Sequence, residues 1–351
     1  MTYSHPPLEE VIGLKHGAGG SAMRRLIEGV FTTGFAAPEG TAGSPGIGLE
    51  SLDDGAALPL GDGRWLVLTT DSHVIHPIFF PGGDIGRLAV SGTVNDLAMM
   101  GATEVLALTS AVIVEEGFRR ADLERVQASV RDTCREAGAT VVTGDTKVMG
   151  KGELDGLVLN TSGVALTRRV VGNSGLRPGD RLLVTGTIGD HGLAVLAARE
   201  ELGLEGDLRS DVAPINGLVR AALEAGGDAV VALKDPTRGG VASTLYELAA
   251  RSAVGIEVEE LAVPVSDPAR AAAELLGIDP LHVANEGKAV LAVRQGAEDR
   301  VLEALRRHPL GTRAAVIGRC VAERPGSVIL DTGIGRRLLA EPEGEPLPRI
   351  C

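Results

Sequence analysis

No run in the 351 residues approaches the roughly 18 consecutive apolar residues of a membrane span, and no early basic segment leads into an apolar signal core. These two absences predict a cytoplasmic protein that meets no membrane. Cations are also in short supply. The 34 Lys and Arg stand against 47 Asp and Glu, a formal charge of −13, which argues against nucleic acid or an anionic surface as a general partner. Cysteine is scarce: Cys134, Cys320 and Cys351 lie far apart without a CxxC pair, so neither a disulfide framework nor a structural zinc site is indicated. Cys134 and Cys320 read as packed thiols. A Gly-Lys-Ser/Thr phosphate loop, the GxGxxG spacing of a dinucleotide fold and a short-period repeat are all missing.

What is present is a chain able to bury a large core. With 44% hydrophobic and 23% charged residues it predicts two domains. Runs rich in Val, Leu and Thr predict strands over Trp65–Thr70, Val105–Val114, Thr140–Thr143 and Leu157–Leu166, and amphipathic spacing predicts helices over Ile85–Met100 and Arg119–Ala137. This gives an α+β domain over residues 40–168, preceded by a glycine-rich segment, 1–39. The turn Leu176-Arg177-Pro178-Gly179-Asp180 then opens a second alternation within 169–340: a strand from Arg181, helices near Leu193–Leu202, Val212–Ala225 and Gly239–Ser252, then Ala289–Val293, Ala297–Arg307 and Ala314–Cys320. Residues 341–351, rich in Pro and Glu and without apolar periodicity, predict a flexible tail that ends on Cys351. Extended, those residues span about 35 Å, enough to carry a thiol into a pocket and out again.

Acids gather where predicted strands end. Asp53-Asp54, Asp71, Asn95-Asp96 and Asp145 all fall within the first 150 residues. Together they fit a magnesium–triphosphate site, because Mg²⁺ takes hard oxygen ligands from a few carboxylates, phosphate and water. Singly, each also fits a turn or a solvated helix face. His16-Gly17-Ala18-Gly19-Gly20-Ser21, ahead of a helix-like stretch, offers backbone N–H groups to an anion, or serves as a surface loop. Arg238 at a predicted helix start fits phosphate binding or a structural role. Glu286 in Asn-Glu-Gly fits a base or a salt-bridged surface residue. His73 and His76, just ahead of Pro77, read as strand into loop rather than a metal pair, and stand outside the predicted site.

Taken in order, His16-Gly17-Ala18-Gly19-Gly20, Asp53-Asp54-Gly55-Ala56, Pro81-Gly82-Gly83-Asp84-Ile85-Gly86, Val94-Asn95-Asp96-Leu97-Ala98, Gly144-Asp145-Thr146-Lys147-Val148, Asp235-Pro236-Thr237-Arg238-Gly239-Gly240, Asn285-Glu286-Gly287 and Pro348-Arg349-Ile350-Cys351 span nearly the whole chain. This set resembles the PurM-like superfamily of ATP-dependent synthetases, and within it the hydrogenase-maturation carbamoyl dehydratases, which the terminal cysteine distinguishes from their relatives. The resemblance implies a PurM-like two-domain fold, with N-terminal domains paired into a β-barrel in a homodimer and a C-terminal α/β sandwich-type domain over the site. It further implies ATP and Mg²⁺, a HypF carbamoyltransferase that loads Cys351, a HypC–HypD complex that receives the product, and ATP-dependent dehydration of the loaded thiocarboxamide to a thiocyanate. By motif position it implies Cys351, Lys147 and Glu286 as catalytic, Asp54, Asp71, Asp96 and Asp145 as metal ligands, and Gly19, Gly20, Asn95 and Arg238 with those acids around ATP. A selenophosphate synthetase would carry a reactive residue near the N-terminal loop, where no cysteine precedes Cys134, and a thiamine monophosphate kinase has no need of the terminal cysteine. A non-catalytic assembly scaffold is the alternative of a different class.

Overall fold

The computed structural model describes residues 11–17, 19–32, 46–202 and 206–341. The predicted tail beyond Glu341, Cys351 included, lies outside the described residues. The first sheet holds β1 (Ala56–Pro59), β2 (Trp65–His73), β5 (Val105–Glu115), β6 (Val141–Met149) and β7 (Leu157–Thr167), in the order β1-β2-β7-β5-β6. A short ribbon, β3 (Phe79–Phe80) with β4 (Gly83–Asp84), leads into α2 (Ile85–Met99), and α3 (Arg120–Ala137) makes the crossover between the parallel strands β5 and β6. Near the N-terminus lies the short helix α1 (Gly20–Leu26).

The second sheet runs β14-β13-β10-β12-β8-β11-β9, from β8 (Arg181–Val184), β9 (Val230–Lys234), β10 (Gly255–Glu259), β11 (Val290–Val293), β12 (Ala315–Val321), β13 (Val328–Asp331) and β14 (Arg336–Leu338). Around it lie α4 (Asp190–Arg199), α5 (Asn216–Gly226), α6 (Gly240–Ser252), α7 (Asp267–Leu276) and α8 (Glu298–Arg307). No helix among the described residues is long and apolar enough to cross a membrane.

Helix α2 is the hub. Asp84 caps it, accepting the N–H groups of Gly86 and Arg87 at 2.8 and 3.0 Å, and along its length only Arg87 and Asp96 are not buried. Glycines let its neighbours close in: a Cβ at Gly86 would stand 2.4 Å from the Val126 carbonyl of α3, and one at Gly92 2.7 Å from His73 of β2. Its C-terminal Ala98 and Met99 share a core with Ile215, Leu218 and Val219 of the second half. Helix α2 therefore packs along the first sheet and, through its C-terminal end, against α5 of the second half.

Two elements differ from the sequence expectation for physical reasons. Helix α5 starts at Asn216 rather than Val212, because Pro214 disfavours helical geometry at Ala213. Strand β6 runs on to Met149 instead of stopping before Gly144. That glycine is no turn: a Cβ on it would meet the Ser110 carbonyl at 2.1 Å, so it lets two strands approach.

Candidate active site

The loop before β1 presents two acids with different tasks. Asp53 Oδ1 accepts the Asn173 N–H at 2.7 Å and so fastens the first half to the connector that follows β7. Asp54 turns toward Asp96 of α2 and Asp235, which follows β9, and the three offer carboxylate oxygens all within 4.8 Å of one another. The Thr69 hydroxyl of β2 lies 2.9 Å from both the Asp54 carbonyl and Asp96 Oδ2. Lys234 Nζ contacts Asp54 Oδ1 at 2.5 Å and Glu247 Oε2 at 3.4 Å.

Crowded, buried anions repel, and burial and mutual charge shift their acidities upward. Burial first, then the charge of Asp54, pushes Asp235 up to about 8 against the pull of Lys234. Burial, followed by the charges of Asp235, Asp71 and Asp54, holds Asp96 well above the ordinary carboxylate range. Lys234 is desolvated too, but Asp54 and Glu247 raise it well above an ordinary lysine, so it stays an ammonium. Three hard oxygen donors that resist sharing negative charge make a donor set suited to a divalent cation.

Asp71 of β2 lies beside this group and pairs with His73, Nε2 to Oδ2 at 3.1 Å. Burial pushes Asp71 up, but the His73 charge and hydrogen bond, with Arg238, outweigh it and bring the carboxyl down to about 2. His73, placed outside the site by the sequence reading, thus pairs with one of the predicted acids on the α2 face of the sheet. Arg238 acts on Asp71 and also lowers Glu286. Gly19, with φ +81°, lies against Arg238, where a Cβ would stand 3.0 Å from its backbone, and Gly20 (φ +67°) opens α1 beside it. The glycine loop and the Arg238 loop therefore meet. The approach to the tail is moored on the same helix: Arg24 of α1 pairs with Glu341, Leu339 is fully buried, and the Tyr246 hydroxyl donates to the Leu339 carbonyl.

Glu286 is 3% exposed, and its Oε1 has no hydrogen-bond partner among the described residues. Burial, then the charges of Asp235, Asp71 and Asp211, raises its carboxyl well above the ordinary value. The salt-bridged surface reading of Glu286 is therefore wrong.

Three predicted residues do not join the acids within one chain. Asn95 is buried, but both ends of its amide bond backbone groups, so the expected phosphate contact gives way to a clasp between the two halves. Asp145 and Lys147 lie on the other face of the first sheet. Asp145 aligns with Ala111, Ala111 with Asn160, and Asn160 with Ser72, whose side chain points opposite to that of its neighbour Asp71. Three strand spacings add about 14 Å of separation. Within the chain it is Asp235, not Asp145, that lies with Asp54 and Asp96. Sequence reasoning missed Asp235, Lys234 and Glu247 as a group, although Asp235 obeys the same rule as the others, an acid at the exit of an apolar run, Val230–Leu233.

The two other thiols are unsuited to chemistry. Burial and then Asp180 push Cys320 up to about 12, and burial raises Cys134.

Residues 52–167 match the family described as AIR synthase related protein, N-terminal domain, and 177–331 match its C-terminal domain. The chain is 47% identical over 343 residues to the carbamoyl dehydratase HypE of Azotobacter vinelandii, covering 97% of each protein. Among solved structures, a HypE–HypF complex superposes with a TM-score of 0.82 at 43% identity, over 90% of this chain and 99% of that one. HypE in complex with ATP gives 0.79 at 42% identity, over 96% and 99%.

Proposed function

Because the chain belongs to the AIR synthase related family, in the branch of the HypE carbamoyl dehydratases, we propose that it spends ATP to dehydrate a carboxamide carried on the Cys351 sulfur, giving a thiocyanate for hydrogenase maturation. The observation that carries this reading is the convergence of Asp54, Asp96 and Asp235 beside the buried, open carboxyl of Glu286.

The chemistry follows from the poor leaving ability of an amide oxygen. That oxygen takes the γ-phosphoryl group of ATP, releasing ADP; the nitrogen gives up its two protons, the carbon–oxygen bond breaks with departure of phosphate, and a carbon–nitrogen triple bond remains. Glu286 accepts a nitrogen proton, a task for which its buried carboxyl, with Oε1 left open, is placed. Arg238 and the Gly19-Gly20 backbone bind phosphate oxygens. Asp54, Asp96 and Asp235, with Asp71 nearby, would hold Mg²⁺, which would offset triphosphate charge when bound. Lys234 retains Asp54 in place and limits the repulsion among the acids before substrate arrives.

A homodimer supplies the remaining parts. The sheet face away from α2 carries Leu66, Leu68, Ile113, Val158, Val164 and Leu166, an apolar surface that a second copy covers by pairing sheets into a barrel. Asp145 and Lys147 belong to that same face at edge strand β6, so they serve the site of the second copy, where Lys147 places its ammonium against the activated oxygen. HypF is the donor partner, and a HypC–HypD complex takes the cyano group.

Intact-protein mass decides the reading. After loading with carbamoyl phosphate, ATP and the transferase, the adduct belongs on Cys351, and ATP should then remove the mass of one water. An adduct on Cys134 or Cys320, or an adduct that never loses water while partners still bind, rejects it in favour of a scaffold.

A further inference from the structure

Glu286 is held by atoms from two distant stretches of chain, and its neighbour Asn285 by two more. Its N–H donates to Asp211 Oδ1 at 3.0 Å, and its carbonyl accepts from the Asn95 side-chain amide at 3.2 Å. The same amide donates to the Ala213 carbonyl at 3.1 Å, and its oxygen accepts the Ile215 N–H at 2.8 Å. One buried side chain on α2 thus binds both the Asp211–Ile215 loop and the Glu286 backbone. Asn285 fixes the preceding peptide: its N–H donates to the Pro236 carbonyl at 3.0 Å, and its side-chain oxygen accepts the Gly189 N–H at 2.7 Å. On the other side, a Cβ at Gly287 would stand 1.9 Å from the Asp211 carbonyl, so the two backbones touch. Asp211 Oδ2 lies 3.2 Å from Lys288 Nζ, and the two side chains are 4% and 11% exposed.

The backbone around Glu286 is therefore tied down while its own buried carboxyl oxygen has no partner among the described residues. Burying an unbonded carboxyl costs several kcal/mol in general terms, and a frame built only for stability would place an apolar residue there. A rigid mount with one open polar end is what positioning a reactive group requires.

We propose that Asn95 and Asp211 are positioning residues that fix the Glu286 carboxyl at the reacting nitrogen, with Lys288 holding Asp211 in place. The proposal rests on Glu286 being the proton acceptor. Neither Asn95 nor Asp211 touches the substrate in this scheme; each acts through the Glu286 backbone.

The test uses full-length protein with Cys351 loaded by the transferase, and follows loss of one water by mass at varied ATP. Asp211→Ala and Asn95→Ala should each lower the dehydration rate about 100-fold at saturating ATP, the scale of a small misplacement of a reacting group, with the KM for ATP within about twofold of wild type. Asp211→Asn keeps an oxygen for the Glu286 N–H and should recover most of the rate, a rescue that also answers any objection that the alanine variants fold poorly. The decisive arm is Asp211→Ala combined with Glu286→Gln, which should be no slower than Glu286→Gln alone, because there is then no base left to position. Multiplying losses in the double variant, a raised KM with unchanged maximal rate, or no rescue by Asp211→Asn would overturn the proposal. A wild-type rate in Glu286→Gln would instead sink the reading of Glu286 itself, and the proposal with it.

Discussion

Lys234 Nζ lies 2.5 Å from Asp54 Oδ1, so one buried ammonium at the end of β9 in the second sheet grips the loop that enters β1 of the first. With Glu247 on its other side, this lysine stands as the resident cation of an acidic site.

Lys234→Met should destabilise the protein by about 3 kcal/mol in the presence of a chelator, since it leaves Asp54 buried without its partner. Excess Mg²⁺ should restore part of that loss by supplying charge to the same carboxylates. Urea midpoints with and without Mg²⁺ test it, and an equal loss under both conditions would show that the lysine has no share in the site's charge balance.

Asp96→Asn and Asp235→Asn should weaken Mg-ATP binding and lower turnover by about 100-fold or more, whereas Asp53→Asn should leave metal affinity near wild type, because the Asp53 carboxyl is occupied by the Asn173 N–H. Calorimetric titration with and without Mg²⁺ separates the three variants. Unaltered affinity in the first two would put the nucleotide elsewhere.

If β6 serves a second copy, purified mixed dimers of Asp235→Asn and Lys147→Ala chains should regain about half of wild-type activity, since one of the two symmetric sites then combines intact acids with an intact lysine. Either variant alone should stay inactive. Mixed dimers without activity would return Lys147 to its own chain.

The acidic site also sets a pH dependence of stability. Asp235 rises from an ordinary 3.8 to about 8 on folding, so between those values the folded protein binds more protons than the unfolded one and loses stability as pH climbs. Asp71 works in the opposite sense: lowered to about 2, it contributes stability above pH 4 that is lost only as the pH falls toward 2. Thermal melts in chelator should therefore decline from pH 5 to pH 8, with a shallower decline for Asp235→Asn. Parallel pH profiles for the two proteins would refute the assignment.

Sequence alone carried much of this site because its chemistry follows local rules. Asp54, Asp71 and Asp96 end or flank apolar runs, and Asp84 stands one residue ahead of its helix. What it could not carry was facing. Whether Asp145 reaches Asp96 depends on a strand that continues through Gly144 and on the side-chain alternation of four strands in register, all non-local facts. Asn95 looked like a ligand because it adjoins Asp96, yet successive helix positions diverge by about 100°, and it turns toward Ala213 and Glu286 instead. Lys234 escaped notice because a lysine closing a strand carries no signal until the acids opposite it are known.

The burial of α2 on nearly every side bears on how the molecule opens. A helix buried on the first sheet and α3, with its C-terminal turn locked against α5, has no free end from which to fray, so its amides should rank among the slowest in the chain to exchange with solvent. The two halves then melt as one cooperative body.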